Sequence, residues 1–149
     1  MPFFHKNKLL PYHKADLYNL VLDIESYPEF IPWCKAARII SRKNDEIIAE
    51  LVIEFKGFTE KYQSKITTNI QDKTHIISVE AISGPFEHLS NIWKFTEENE
   101  QTKVDFFIDF KLKSFFLEQI IGIFFMKAAE KMIDAFEKRA EFFSKINYK

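Results

Sequence analysis

The sequence predicts an α+β fold: a curved antiparallel sheet of about six to seven strands wrapped around one long C-terminal helix, with two short helices after the first strand. Three observations carry that expectation. Residues 46–113 alternate apolar and polar side chains in short runs separated by turn residues, the period of half-buried strands in hairpin succession. Residues 115–146 instead repeat apolar side chains at helical spacing, and no proline follows Pro85. No repeat or linker-like stretch divides the 149 residues, so one domain spanning 1–149 is expected.

Residues 3–10 read as a short edge strand ended by Pro11. A helix over 13–25 follows, with Leu17, Leu20, Val21 and Ile24 on one face and Asp16 near the positive end of its dipole. Tyr27-Pro28 and Ile31-Pro32 leave room only for a short helical turn, because proline disfavours helix at the residue before it. A strand over 36–43 holds Ala37 and Ile39 in phase and Ile40 out of phase, and Asn44-Asp45 turns the chain. In the strand 46–56, Ile47, Ala49, Leu51, Ile53 and Phe55 share one face, and Gly57 marks a bend or bulge. The strand 58–69 aligns Phe58, Glu60, Tyr62, Ser64 and Ile66. After Gln71-Asp72-Lys73 comes a strand over 75–83, which Gly84-Pro85 turns. Residues 88–97 set Leu89, Asn91, Trp93 and Phe95 together, and residues 102–113 align Val104, Phe106, Ile108, Phe110 and Leu112.

Ser114 is the expected N-cap of the last helix. One side of that helix carries Leu117, Ile121, Phe124, Phe125, Ala128, Met132, Ala135, Phe136, Phe142 and Phe143. The opposite side carries Glu130, Asp134, Glu137, Lys138 and Glu141, with Ile133 as an apolar exception. Ile120, Ile123 and Met126 also point away from the stripe, which suits a dimer contact, a pocket mouth, a membrane-touching surface or packing under the first helix.

Composition narrows the function classes. Hydrophobic content of 46 % with a net charge of −1 excludes a disordered chain and argues against binding DNA through bulk charge. A single cysteine, Cys34, excludes an internal disulfide and a cysteine-based metal cluster. The N-terminus lacks the apolar core of a secretory signal, and the longest apolar run, 115–126, is too short to span a bilayer. Abundant Ile, Phe, Lys and Asn fit an AT-rich bacterial genome, and the cytoplasm is the expected location. The feature out of scale is phenylalanine: 17 of them, more aromatic volume than a compact core of this size obviously needs.

No catalytic apparatus is visible. The four histidines have no i,i+4 pairing, no serine sits in a Gly-x-Ser-x-Gly elbow, and three scattered glycines make no phosphate loop, so neither a metal nor a cofactor is expected. Cys34 reads as a small buried thiol beside Trp33, since nothing nearby would lower its pKa. Two polar residues fall in apolar registers, Glu60 and Asn91. Each needs a partner if buried. A bulge at Gly57 that turns Glu60 to solvent, a lysine partner, a satisfied core amide, or a place on a cavity wall would each meet that need.

Three segments then become recognisable together. Tyr27-Pro28-Glu29-Phe30-Ile31-Pro32-Trp33-Cys34 resembles the YPxFxPWC segment of the coenzyme-Q-binding and RatA ribosome-association-toxin branch of the START-like superfamily. Gly57-Phe58-Thr59-Glu60-Lys61-Tyr62-Gln63-Ser64 is similar to that branch's GFxExFxS strand start. Gly84-Pro85-Phe86-Glu87-His88-Leu89-Ser90-Asn91-Ile92-Trp93 looks like its GPFxxLxGxW element, with Asn91 where glycine is usual. The resemblance runs from about residue 3 to 145 and implies the helix-grip fold, a superfamily also labelled polyketide cyclase/dehydrase and lipid transport.

What the resemblance implies is a non-enzymatic chaperone for ubiquinone or a similar polyprenyl lipid, supporting respiratory electron transport, with peripheral contact at the inner membrane. A polyprenyl tail needs a deep apolar tunnel, and each buried methylene contributes about 0.8 kcal/mol. Trp33, Phe55, Phe86, Trp93, Phe106, Phe110, Ile121, Phe124 and Phe125 are the expected lining, with Glu60 or Tyr62 near a polar head. The alternative implied by the toxin relatives is association with the large ribosomal subunit, which needs a local basic patch. A cyclase or dehydrase would need an acid–base pair, for which Glu60 with His88 is the one candidate.

Overall fold

A computed structural model describes residues 3–55 and 57–147. Lys56, assigned by its alternation to the end of a strand, lies outside them. Strand β1 (Phe3–Leu10) leads into helix α1 (Lys14–Leu22) and a 3-10 helix (Ile24–Glu29). Six strands follow in hairpin succession: β2 (Cys34–Lys43), β3 (Glu46–Phe55), β4 (Phe58–Ile70), β5 (Thr74–Ala81), β6 (Phe86–Glu98) and β7 (Gln101–Leu112). The chain ends in α2 (Phe115–Leu117), a π-helical turn (Glu118–Gly122), α3 (Ile123–Glu130) and α4 (Met132–Asn147).

The seven strands form one antiparallel sheet in the order β1-β7-β6-β5-β4-β3-β2. β1 therefore lies at one edge and β2 at the other, and α1 with the 3-10 helix carries the chain between them. Ile40 falls out of phase for a physical reason: the β2–β3 register shifts between Ile39 and Ser41, a bulge that leaves Ile40 exposed. Gly57 produces no bulge. It lies next to Phe58, which pairs with Phe55, and has φ +85°, so the β4 alternation runs unbroken.

The concave face of the sheet and the C-terminal helix meet through interlocked aromatic rings. Phe125 packs against Phe110, Phe86 and Phe55 at centroid distances of 4.5, 5.2 and 6.3 Å. Three turns further on, Phe136 meets Trp93 and Phe30 at 5.1 Å each and Tyr27 at 5.5 Å. All six contacts are steeply tilted or edge-to-face, the arrangement that the ring quadrupole favours. Ser114 caps the helical segment as expected, its hydroxyl accepting from the Leu117 N–H at 3.0 Å.

The helix departs from the expected uniform rod in two places. The π turn inserts a residue into the helical period, and at Lys131 the α-helical assignment breaks, with φ −95° and ψ 0°. The downstream wheel is therefore rotated. Ile133, assigned to the charged side, is buried, while Phe142, assigned to the apolar side, is half exposed. α4 also packs against α1. Along the polar side, Lys8 Nζ lies 2.6 Å from Glu137 Oε1 and 3.7 Å from Asp134 Oδ1, tying the helix to β1. Arg139 bonds Glu29 at 2.8 Å and lies over the Phe30 ring at 4.9 Å, which fastens α4 to the 3-10 helix.

Two backbone positions give sharp tests. Gly84 has φ +107°, and a Cβ there would stand 2.4 Å from the Tyr62 Cβ, so the β5–β6 loop lies on β4 only because residue 84 has no side chain. Gly84→Ala is expected to cost about 2–3 kcal/mol in urea unfolding. The β6–β7 hairpin turns through Asn99 and Glu100, both at positive φ (50° and 68°), although glutamate pays for that conformation. Glu100→Gly is expected to raise stability by about 0.5–1 kcal/mol in the same assay.

Candidate functional site

A cavity of about 90 Å³ lies between sheet and helix, in the interval between the Phe125 and Phe136 contacts. Its floor is Leu51 and Ile53 from β3, Tyr62, Ser64 and Ile66 from β4, Val79 from β5, Leu89, Asn91 and Trp93 from β6, and Phe106 and Ile108 from β7. Ile24, Tyr27, Ile31, Trp33 and Cys34 close one side. The helix closes the top with Phe125, Ala128, Ala129, Met132 and Phe136. The space exists where side chains are short: alanines occupy the middle of the helical cover, and Ser64 pairs across the sheet with Ala49 on β3 and Ala81 on β5.

No charged side chain lines this cavity, but several polar ones do. Ser64 is 1 % exposed, and its hydroxyl has no hydrogen-bond partner among the described residues. An unmade bond of this kind costs about 1–3 kcal/mol. Asn91 Nδ2 donates to the Phe107 carbonyl at 2.8 Å, using one of its two N–H donors. Tyr27 donates its hydroxyl to the Val21 carbonyl. Burial raises the pKa of Tyr27 and of Tyr62 well above the ordinary phenol value, so both stay protonated donors. Burial pushes the Cys34 thiol up to about 11, and the thiol makes a weak bond to the Ala36 carbonyl at 3.6 Å.

Of the residues expected to line a pocket, Trp33, Tyr62, Trp93, Phe106 and Phe125 do so, together with Asn91. Phe86, Phe110 and Ile121 are buried but do not line the cavity. Phe55 and Phe124 line a shallow outer groove with Pro32, Trp33, Glu54, Lys127, Ala128 and Lys131. Trp33 and Ala128 line both the groove and the cavity, so they stand between the two. Glu60 stays on the concave face opposite Ile53, yet it does not line the cavity. His88 is on the convex face, with Nε2 3.1 Å from Asp109 Oδ2. Glu60 and His88 thus lie on opposite sides of the sheet, which removes the proposed acid–base pair.

The expected deep tunnel is likewise corrected. An apolar cavity of about 150 Å³ takes up benzene, and the interlocked rings leave only about 90 Å³ here. Sequence reasoning also passed over Ser64, whose signal was a hydroxyl in an inward register flanked by alanines.

A model of the family described as polyketide cyclase / dehydrase and lipid transport matches residues 10–137. The chain belongs to that family. Its architecture is START-like: a START superfamily protein from Mycobacterium smegmatis superposes with a TM-score of 0.76 over 95 % of this chain and 98 % of that one, at 18 % identity. Among curated family relatives, the ribosome association toxin RatA of Rickettsia prowazekii is 51 % identical over 93 % of this chain and 95 % of its own. The mitochondrial coenzyme Q-binding protein COQ10 homolog B of Xenopus laevis is 28 % identical over 92 % of this chain and 57 % of its own. No helix among the described residues is long and apolar enough to cross a membrane.

The burial of Cys34 sets a test. Its raised pKa keeps the folded thiol protonated at pH 8, so alkylation by iodoacetamide is expected to run about a hundredfold slower than in the urea-unfolded chain. The corresponding stability is whole below pH 9, the unfolded thiol's value, and is lost as pH rises toward about 11. Equal alkylation rates in the folded and unfolded chain would contradict the packing around Cys34.

Proposed function

We propose that the protein is a non-enzymatic binder of ubiquinone or a similar polyprenyl lipid, holding the ring in the cavity under α3 and passing the tail outward between Trp33 and Ala128. The observation that carries the reading is the chemistry of the wall. It is uncharged and largely apolar, with an unpartnered Ser64 hydroxyl and with Tyr62 and Asn91 on the same wall. Such a wall disfavours a carboxylate or phosphate head, whose burial would need a cation. It suits a neutral ring bearing carbonyl acceptors, which Ser64 and the spare N–H of Asn91 can satisfy. The relative named as a coenzyme Q-binding protein supports the same class of ligand.

The space present is smaller than a quinone ring, so binding requires α3 to lift. α3 is eight residues long and lies between the π turn and the break at Lys131, two places where the helix is already irregular. Delivery of the bound quinone to respiratory electron transport is the role that follows. A second reading is association with the large ribosomal subunit, favoured by the 51 % identity to a protein named ribosome association toxin.

Ser64→Ala separates a ligand contact from a packing residue. It should stabilise the protein by about 1 kcal/mol in unfolding, because it removes an unsatisfied hydroxyl. It should also weaken binding of a short-chain ubiquinone about tenfold by fluorescence titration. Unchanged affinity, or no isoprenoid quinone in solvent extracts of protein purified from quinone-rich cells, would sink the quinone reading. Co-migration of the protein with the large subunit in a sucrose gradient at moderate salt would support the second reading.

A further inference from the structure

The strand ends that surround the outer groove carry apolar side chains with nothing over them. β3 ends, β4 begins, β5 ends, β6 begins and β7 ends at this same end of the sheet, as the antiparallel register requires. The turns there expose Phe58 and Ile82, and the start of the C-terminal helix exposes Phe115, Phe116 and Ile123. Phe115 at 80 % and Phe116 at 66 % are the most exposed large apolar side chains among the described residues, and Ile123 is at 62 %. Placing phenylalanine in water at two adjacent positions is costly without a partner.

Exposed lysines stand among these tips. Lys113 precedes Phe115-Phe116, Lys61 follows the Phe58 turn, and Lys127 and Lys131 line the groove itself; all four are exposed. The neighbouring acids Glu54 and Glu87 are each neutralised by a lysine, Lys35 at 3.0 Å and Lys111 at 3.1 Å. Glu118 accepts from the Leu112 N–H at 3.2 Å.

We infer that this end of the protein docks on the surface of an anionic lipid bilayer, with Phe115, Phe116 and Ile123 inserted among the acyl chains and Lys113, Lys127 and Lys131 at the headgroups. The rings project singly from separate turns and a helix start instead of framing a concave groove. That shape suits a deformable lipid surface better than a segment of another protein. The lysines supply attraction to anionic headgroups and make binding salt-sensitive. Docking would set the proposed tail exit between Trp33 and Ala128 against the membrane.

The test is flotation with vesicles of phosphatidylcholine containing phosphatidylglycerol and no quinone, so that docking succeeds or fails independently of ligand binding. The wild-type chain should float with these vesicles, float poorly with pure phosphatidylcholine, and release in high salt. Phe115→Ser with Phe116→Ser should lower the partition coefficient at least tenfold with an unchanged circular dichroism spectrum. Lys113→Glu with Lys127→Glu should remove the preference for anionic lipid. Failure of the wild-type chain to float, or flotation of the double serine variant like wild type, overturns the proposal. So does a dimer in sedimentation equilibrium that the serine substitutions dissolve while vesicle binding is nil, since the patch would then join two copies of the chain.

Discussion

Two rings hold the molecule in its working shape. Phe125 and Phe136 are set about 16 Å apart along the C-terminal helix by eleven residues of helical rise; Phe125 enters a nest of sheet rings, and Phe136 enters one made by Trp93 of the sheet with Tyr27 and Phe30 of the segment after α1. Together they fix the height of the helix above the concave face. Between them the helix offers Ala128, Ala129 and Met132, too little volume to reach the floor everywhere, and the cavity is what remains. Any ligand that enters must work against one of these two contacts. The Phe125 contact is the more mobile candidate because the π turn and the Lys131 break lie on either side of its helical segment.

This changes the meaning of the phenylalanine content. Seventeen phenylalanines in 149 residues suggest walls for a wide tunnel. In the fold, rings such as Phe86 and Phe110 instead fill the interior and lock the helix to the sheet through Phe125. The cavity owes its existence to small side chains, with Ser64 between Ala49 and Ala81 below and two alanines above. Its polarity has the same origin, since the serine that leaves room also brings a hydroxyl with no partner. Phe58, Phe115 and Phe116 instead meet solvent at a strand turn and at the start of the C-terminal helix, and Phe142 does so on α4.

Much of this architecture was legible in the amino-acid order. Strict alternation in 46–112 specified which residues face inward, because a sheet pleat allows only two directions. The turns at Asn44, Asn99 and Gly84 were legible because only certain residues tolerate positive φ. What escaped was set by geometry that no local pattern records. Ile133 is buried because the irregular helix changes which flank is covered. Glu60 keeps its inward register without reaching the cavity, which lies further along the strands. His88 faces outward, out of phase with Leu89, Asn91 and Trp93, so the alternation along β6 already separated it from the inward-facing Glu60. Ser64 was in the correct register and drew no attention because its significance depends on alanines two strands apart.

The central claim is that the uncharged cavity beneath α3 opens to take a neutral carbonyl-bearing ring. Nuclear magnetic resonance of the isotope-labelled chain during titration with a short-chain ubiquinone tests it most directly. The account predicts saturable shifts of the Asn91 side-chain amide, the Ser64 backbone amide and the Ala128 and Ala129 amides, all with one dissociation constant. Shifts confined to exposed residues, with these four groups unmoved at saturating quinone, would contradict it.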